Sequence, residues 1–200
     1  MRILILISSL EGGGAERVAS RLANALSERH EVYIMPFSAA RHNPYPLSEK
    51  VKVKNAGIFD LRTDSRHPVI RYAVSIIYGY FYMLLINLFR HPDVTLSFLT
   101  KPNLLNAFSI GGGRKIMSER NNPKRKGEKT FKAAAFAYSK ADKVIFQSDT
   151  VRRMFSESIQ SKGVILPNPI EVPCEAVGGS RKIVTGGRMK PQKTHAMLIR

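Results

Sequence analysis

The chain opens Met1-Arg2-Ile3-Leu4-Ile5-Leu6-Ile7-Ser8-Ser9-Leu10 and runs directly into Glu11-Gly12-Gly13-Gly14-Ala15-Glu16-Arg17. Five successive aliphatic residues without alternation describe a strand buried on both faces, as in a parallel sheet covered by helices. The apolar run is short and no small-residue cleavage pattern follows it, so it reads as a strand and not as a signal peptide. The glycines behind it allow backbone N–H groups to approach a ligand at a helix N-terminus, where the peptide dipoles favour an anion. A tight turn is the simpler account of three glycines. The loop lacks Gly-x-Gly-x-x-Gly, no acid closes the second strand at Met35-Pro36-Phe37, and no Gly-Lys-Ser/Thr follows. Both NAD and a P-loop nucleotide are therefore disfavoured.

Outward from this unit, strand and helix alternate. Val18, Leu22 and Leu26 recur at the helical period, and Val32-Tyr33-Ile34-Met35 is a second strand. Val51-Lys52-Val53-Lys54 alternates like a strand with one solvated face. Val94–Leu99, Lys115–Met117, Lys143–Phe146 and Val164–Leu166 are further strands. Helices are expected from Lys101 to Phe108, Thr130 to Ala141 and Thr150 to Ile159, the last capped by Asp149. The fold class is α/β, a doubly wound, mostly parallel sheet. Ligands of such sheets bind at the carboxyl ends of the strands, which singles out the loops Ser8–Glu16, Leu99–Asn103, Ser118–Lys126 and Gln147–Asp149.

Between Arg71 and Arg90 the residues Tyr72 to Phe89 carry no charge. A membrane span needs about 20 predominantly apolar residues, and this segment also holds Ser75, Gly79, Asn87 and four tyrosines. Tyrosine favours the boundary of lipid and water. The expectation is a core helix whose outer side rests in a membrane interface, flanked by Arg66, Arg71 and Arg90; a buried helix and a true span are the alternatives.

Two hundred residues contain 32 Lys and Arg against 15 Asp and Glu, a net charge of +17. Such a surplus calls for an anionic partner: nucleic acid, a membrane face or a phosphorylated small molecule. Arg114 to Lys132 alone holds eight cations against two acids. A solvated face and a phosphate or headgroup site both account for that run. Few aromatics interleave with it and no reading helix or zinc pattern appears, so nucleic acid is not the expected partner. Cys174 is the only cysteine, which excludes an intramolecular disulfide and fits a reducing compartment. The five histidines, His30, His42, His67, His91 and His195, show no metal-ligand spacing, and Gly-x-Ser-x-Gly is absent. No metal or cofactor is called for, and any chemistry must rest on positioning and electrostatics.

Five motifs occur in order: Gly13 to Arg17, Ser118 to Pro123, Phe146-Gln147-Ser148, Leu166 to Ile170, and Gly187 to Lys193. With them the chain resembles the N-terminal half of a retaining family-4 glycosyltransferase of the GT-B fold, two Rossmann-like domains around a cleft. The resemblance implies a Rossmann-like acceptor domain over residues 1–175 and a linker with the start of a donor-binding domain over 176–200. It further implies that Gly12, Gly13, Gly14, Glu16 and Arg17 line the cleft and that Lys101, Ser118, Glu119, Arg120 and Asn121 face the acceptor. Asn168 and Pro169 would mark the approach to the hinge. Arg188 and Lys193 would hold the diphosphate of a nucleotide-sugar, neutralising it as the glycosidic bond breaks.

Two departures stand out. Thr100-Lys101-Pro102-Asn103 lacks the His that many family members carry there, and the acidic Glu-x7-Glu segment that handles the donor sugar is not in the chain. The expectation is an acceptor-binding domain without independent activity, serving a cytoplasmic enzyme peripheral on the inner face of the cytoplasmic membrane. Its acceptor would be a lipid-linked glycan or a polysaccharide, lipopolysaccharide included. A non-catalytic basic module for membrane or nucleic acid, and a GT-B sugar-nucleotide epimerase, are the alternatives.

Overall fold

The opening aliphatic run forms β1 (Arg2–Ile7), in which every residue from Ile3 to Ile7 is buried. The computed structural model describes residues 1–38, 44–56, 68–120 and 127–169. They lie within one compact unit, Met1–Pro169; the expected linker and start of a donor-binding domain over 176–200 fall outside the described residues. β1 is followed by α1 (Gly14–Ser27), β2 (Glu31–Pro36), β3 (Val51–Val53), α2 (Pro68–Arg90) and β4 (Val94–Phe98). Then come α3 (Thr100–Phe108), β5 (Arg114–Glu119), α4 (Glu128–Ser139), β6 (Lys143–Phe146), α5 (Asp149–Arg152), α6 (Glu157–Gln160) and β7 (Gly163–Ile165).

The strands form one sheet in the order β3-β2-β1-β4-β5-β6-β7, and every pairing is parallel. β1 sits inside, with Ile5 opposite both Ile34 and Leu96. Successive side chains of a strand point to opposite faces, so its aliphatic run serves two cores. Ile3, Ile5 and Ile7 pack with Val18, Ala19 and Ala23 of α1. Leu4 and Leu6 pack with Met35, Met83 of α2 and Leu105 of α3. A third cluster joins Met117, Val144 and Phe146 to Ala134, Ala137 and Tyr138 of α4, whose small residues let the helix approach the sheet. Each aliphatic side chain so buried contributes about 1.5–3 kcal/mol.

Three local expectations change. The helix expected over 150–159 is two short ones: the chain turns between them so that Phe155 is buried against Phe131, Tyr138 and Phe146. Ser148, not Asp149, caps α5, its hydroxyl accepting from the Val151 N–H. Asp149 instead stands in the first turn, where the hydrogen bond from Arg152 and the charge of Arg153 hold its carboxyl below the usual range. In β3 only Val51 is buried; Val53 is exposed at the sheet's edge, so its alternation marks no second core contact.

α2 is 23 residues long, about 35 Å at 1.5 Å per residue. No described helix is long and apolar enough to cross a membrane, which removes the span reading. Its inner side is committed to protein: Met83 and Asn87 are buried, and the Asn87 amide donates to the Ile110 carbonyl.

Candidate functional site

In an open parallel sheet the ligand crevice lies beyond the carboxyl ends, where neighbouring connections leave in opposite directions. Here that point is between β1, which connects onward to β2, and β4, which connects onward to β5. Register brings Phe98 opposite Ser118 and Glu119 opposite Phe146. The loops after β1, β4, β5 and β6 therefore leave one edge of the sheet side by side.

The β1 loop is shaped by its glycines. Gly12 has φ +115°, a conformation that disfavours side chains, and a Cβ there would lie 3.2 Å from the Pro44 ring. Gly13 caps α1, its carbonyl accepting from the Arg17 N–H at 3.0 Å. The Glu16 carboxylate lies against Gly13, where a Cβ would collide with it. An anion thus already stands at this helix N-terminus, supplied by the chain and favourable to the dipole. Gly14 is open, with nothing near its missing Cβ. Gly12→Ala is expected to cost about 1 kcal/mol or more from backbone strain, with no change at α1; a thermal melt against the parent chain checks it.

At the β4 exit Leu99 has φ 73° and ψ 161°, a region that is essentially glycine-only and costs of order 1–3 kcal/mol. Its N–H still reaches the Ser118 carbonyl at 3.3 Å, and its side chain packs on the first core. The strained residue delivers α3, with Lys101 exposed and Asn103 fully buried. The Asn103 amide donates to the Ser118 carbonyl (3.2 Å) and the Tyr138 hydroxyl (3.3 Å).

Tyr138 donates in turn to Glu119 Oε2 at 2.7 Å. Burial and the neighbouring Glu119 charge raise the Tyr138 phenol well above its ordinary range, so it stays a donor. Glu119 is only 1 % exposed and Ser118 is buried. Arg120 is 8 % exposed; its Nη1 donates to Asn168 Oδ1 at 2.7 Å, and its guanidinium lies 5.5 Å from the Phe98 ring centre. Burial holds its pKa below the usual arginine value. Arg120 thereby ties the end of β5 to the Pro167-Asn168-Pro169 segment across 48 residues.

The described cations of the run Arg114 to Lys132 do not form one patch, and Lys124, Arg125 and Lys126 lie outside the described residues. β5 passes through the run, placing Arg114 and Lys115 at the amino end of the strand and Arg120 beyond its carboxyl end. Lys115 bends back onto the Ser109 carbonyl (2.6 Å), and Lys132 pairs with Glu128 on α4. Asn121, Arg188 and Lys193 lie outside the described residues. Tyr138 was not among the residues singled out from sequence; its signal is a lone hydroxyl-bearing ring on the small-residue face of α4.

A sequence profile described as Glycosyltransferase Family 4 matches residues 12–172. The chain belongs to glycosyltransferase family 4. A 63-residue stretch is 43% identical to a Campylobacter jejuni protein described as GalNAc-alpha-(1->4)-GalNAc-alpha-(1->3)-diNAcBac-PP-undecaprenol alpha-1,4-N-acetyl-D-galactosaminyltransferase, covering 32% of this chain and 17% of that one. Among solved structures, Anabaena HepE in complex with UDP superposes with a TM-score of 0.59 at 15% identity, over 86% of this chain and 45% of HepE. The lipopolysaccharide outer core galactosyltransferase WaaB in its apo form gives the same TM-score at 12% identity, over 86% of this chain and 47% of WaaB. At such identities the solved structures speak for the fold, the Rossmann-like α/β architecture of GT-B glycosyltransferases. The matched part of this family-4 chain covers under half the length of each of these proteins.

Proposed function

We propose that the chain is the acceptor-binding part of a glycosyltransferase that moves a hexosyl group from a nucleotide-sugar to a lipid-linked or polysaccharide acceptor, with retention at the anomeric carbon. The observation that carries this is the single sheet edge shared by the Gly12–Arg17 loop, Lys101 and Ser118–Arg120. There the buried pair Tyr138–Glu119 and the part-buried pair Arg120–Asn168 hold the β5 exit in place. In this reading Glu119 and Arg120 act from beneath, as positioning groups, while the glycine loop and Lys101 present N–H groups and a cation to the acceptor. The transferred bond forms between an acceptor hydroxyl and the anomeric carbon as the bond to the nucleoside diphosphate breaks and the hydroxyl loses its proton. Arg188 and Lys193 are proposed to neutralise the departing diphosphate. HepE is also described in complex with UDP-glucose, and the Campylobacter relative by an undecaprenyl-diphosphate acceptor, which supports a nucleotide-sugar donor and a lipid-linked acceptor.

A lipid-linked acceptor also accounts for the outer side of α2. Val74, Ile77, Tyr78, Phe81, Leu85 and Leu88 are all large, all exposed and recur at helical spacing along one stripe. We place this stripe in the inner interface of the cytoplasmic membrane, as a peripheral contact. The chain is expected to sediment with vesicles containing anionic lipid, less so as salt rises. Vesicle binding indifferent to lipid charge and salt would overturn the reading.

A further inference from the structure

Far from the glycine loop, between the C-terminal half of α2 and the start of β1, the fold forms a second feature: an open cavity of about 550 Å³. Three cations line it, Arg2, Lys54 and Arg90, and among the described residues no carboxylate does. Its apolar walls are Leu4, Ile86 and Phe89. Arg2 Nη1 donates only to the Arg90 carbonyl, and the Arg90 guanidinium rests 5.5 Å from the Tyr33 ring centre. Two acids stand nearby: the Asp93 carboxylate accepts from the Arg2 backbone N–H at 2.7 Å, and Glu31 is engaged by Lys52 at 2.6 Å and the Tyr33 hydroxyl at 2.7 Å. So three cations meet apolar walls in a cavity whose described lining holds no carboxylate, the nearby acids standing outside it.

Leu85 lines the cavity and also belongs to the exposed stripe of α2, while Phe89, 72 % exposed, stands beside both. The mouth is therefore continuous with the apolar stripe. Polar and apolar surface meet here in the order that a phospholipid presents them.

We propose that this cavity binds one anionic phospholipid, its phosphate held by Arg2, Lys54 and Arg90 and an acyl chain laid along Leu85 and Phe89. Guanidinium and ammonium donors to a phosphate in a partly desolvated site make strong charge-assisted bonds, and the apolar walls reject a free anion's hydration shell. The site lies at the amino end of β1, the far end of the sheet from the glycine loop, so it is separate from the acceptor edge. α2 spans about 35 Å between the two ends. The proposal rests on the membrane placement of α2 only for how the lipid arrives.

The test uses the whole chain and soluble short-chain lipids followed by calorimetry. Dihexanoyl phosphatidylglycerol is expected to bind at one saturable site, with dihexanoyl phosphatidylcholine and inorganic phosphate each weaker by about tenfold or more. Lys54→Gln with Arg90→Gln should weaken the anionic lipid by about tenfold. If that pair lowers the melting temperature, the exposed Lys54→Gln alone carries the test, with a loss of about threefold. Phe81→Asp, on the stripe but outside the cavity, should lose vesicle binding while keeping the soluble lipid, which separates this proposal from the membrane reading of α2. Equal binding of the neutral lipid, phosphate binding as tightly as the lipid, or unchanged affinity in the cation variants would overturn it.

Discussion

Gly113→Ala is expected to destabilise the chain by at least about 4 kcal/mol, the range reserved for gross steric conflict, and to lower its melting temperature by about 10–15 °C. Gly113 has φ +62°, and a Cβ there would fall onto the Asp93 carbonyl with the Pro92 carbonyl oxygen 2.6 Å away. Neither can move aside cheaply. The Asp93 carbonyl accepts from Arg114 N at 2.9 Å and the Asp93 N–H donates to the Arg2 carbonyl at 2.8 Å, so this turn locks the starts of β1, β4 and β5 together. Gly127→Ala is the matched control: its φ is +91° but its missing Cβ faces open space, so only strain of about 1 kcal/mol applies. Equal melting temperatures for the two variants would show that the Asp93 carbonyl is not where the argument requires it.

Tyr138→Phe is expected to cost about 2–3 kcal/mol, the range for a hydrogen bond to a charged group inside a protein. The variant keeps the ring among Phe146 and Phe155 but leaves Glu119 without the phenol and Asn103 without one of its acceptors. Glu119→Gln preserves an acceptor for Tyr138 and should cost less. The pH dependence has a definite sign. Tyrosine in the unfolded chain ionises near pH 10, whereas the folded Tyr138 phenol is raised well above that by burial and Glu119. Above about pH 10 the unfolded state therefore binds fewer protons, and stability falls as pH rises. The phenylalanine variant lacks this contribution, so its deficit against the parent should shrink in alkaline solution. Denaturant titrations at pH 7 and pH 10.5 read both effects. A deficit that grows with pH would contradict the buried, neutral Tyr138.

The sheet was legible because its evidence is periodic: Ile3–Ile7 can only be a strand covered twice, and the loops it selects do share one edge. The α2 stripe was legible in the same way, from eighteen uncharged residues. The state of Glu119 and Arg120 was not. In a linear reading both belong to a basic run that a solvated face or a headgroup site accounts for equally, and only the packing of α4 on β5 and the return of Asn168 bury them. The cavity cations were equally hidden, since Arg2, Lys54 and Arg90 are scattered over 89 residues of sequence and meet only through the sheet order and the length of α2. Leu99 gave no signal at all, because its strain is imposed by where β4 must end.

The central claim is that the acceptor is received at the carboxyl edge of the sheet, and amide hydrogen exchange on the 200-residue chain tests it directly. The chain is compared on nanodiscs carrying a polyprenyl-diphosphate-linked disaccharide and on the same nanodiscs without it, so that contacts with bulk lipid cancel. Added protection at residues 8–17, 99–103 and 118–120 is the result the account predicts. Protection confined to other segments, or none above the empty nanodisc, would contradict it.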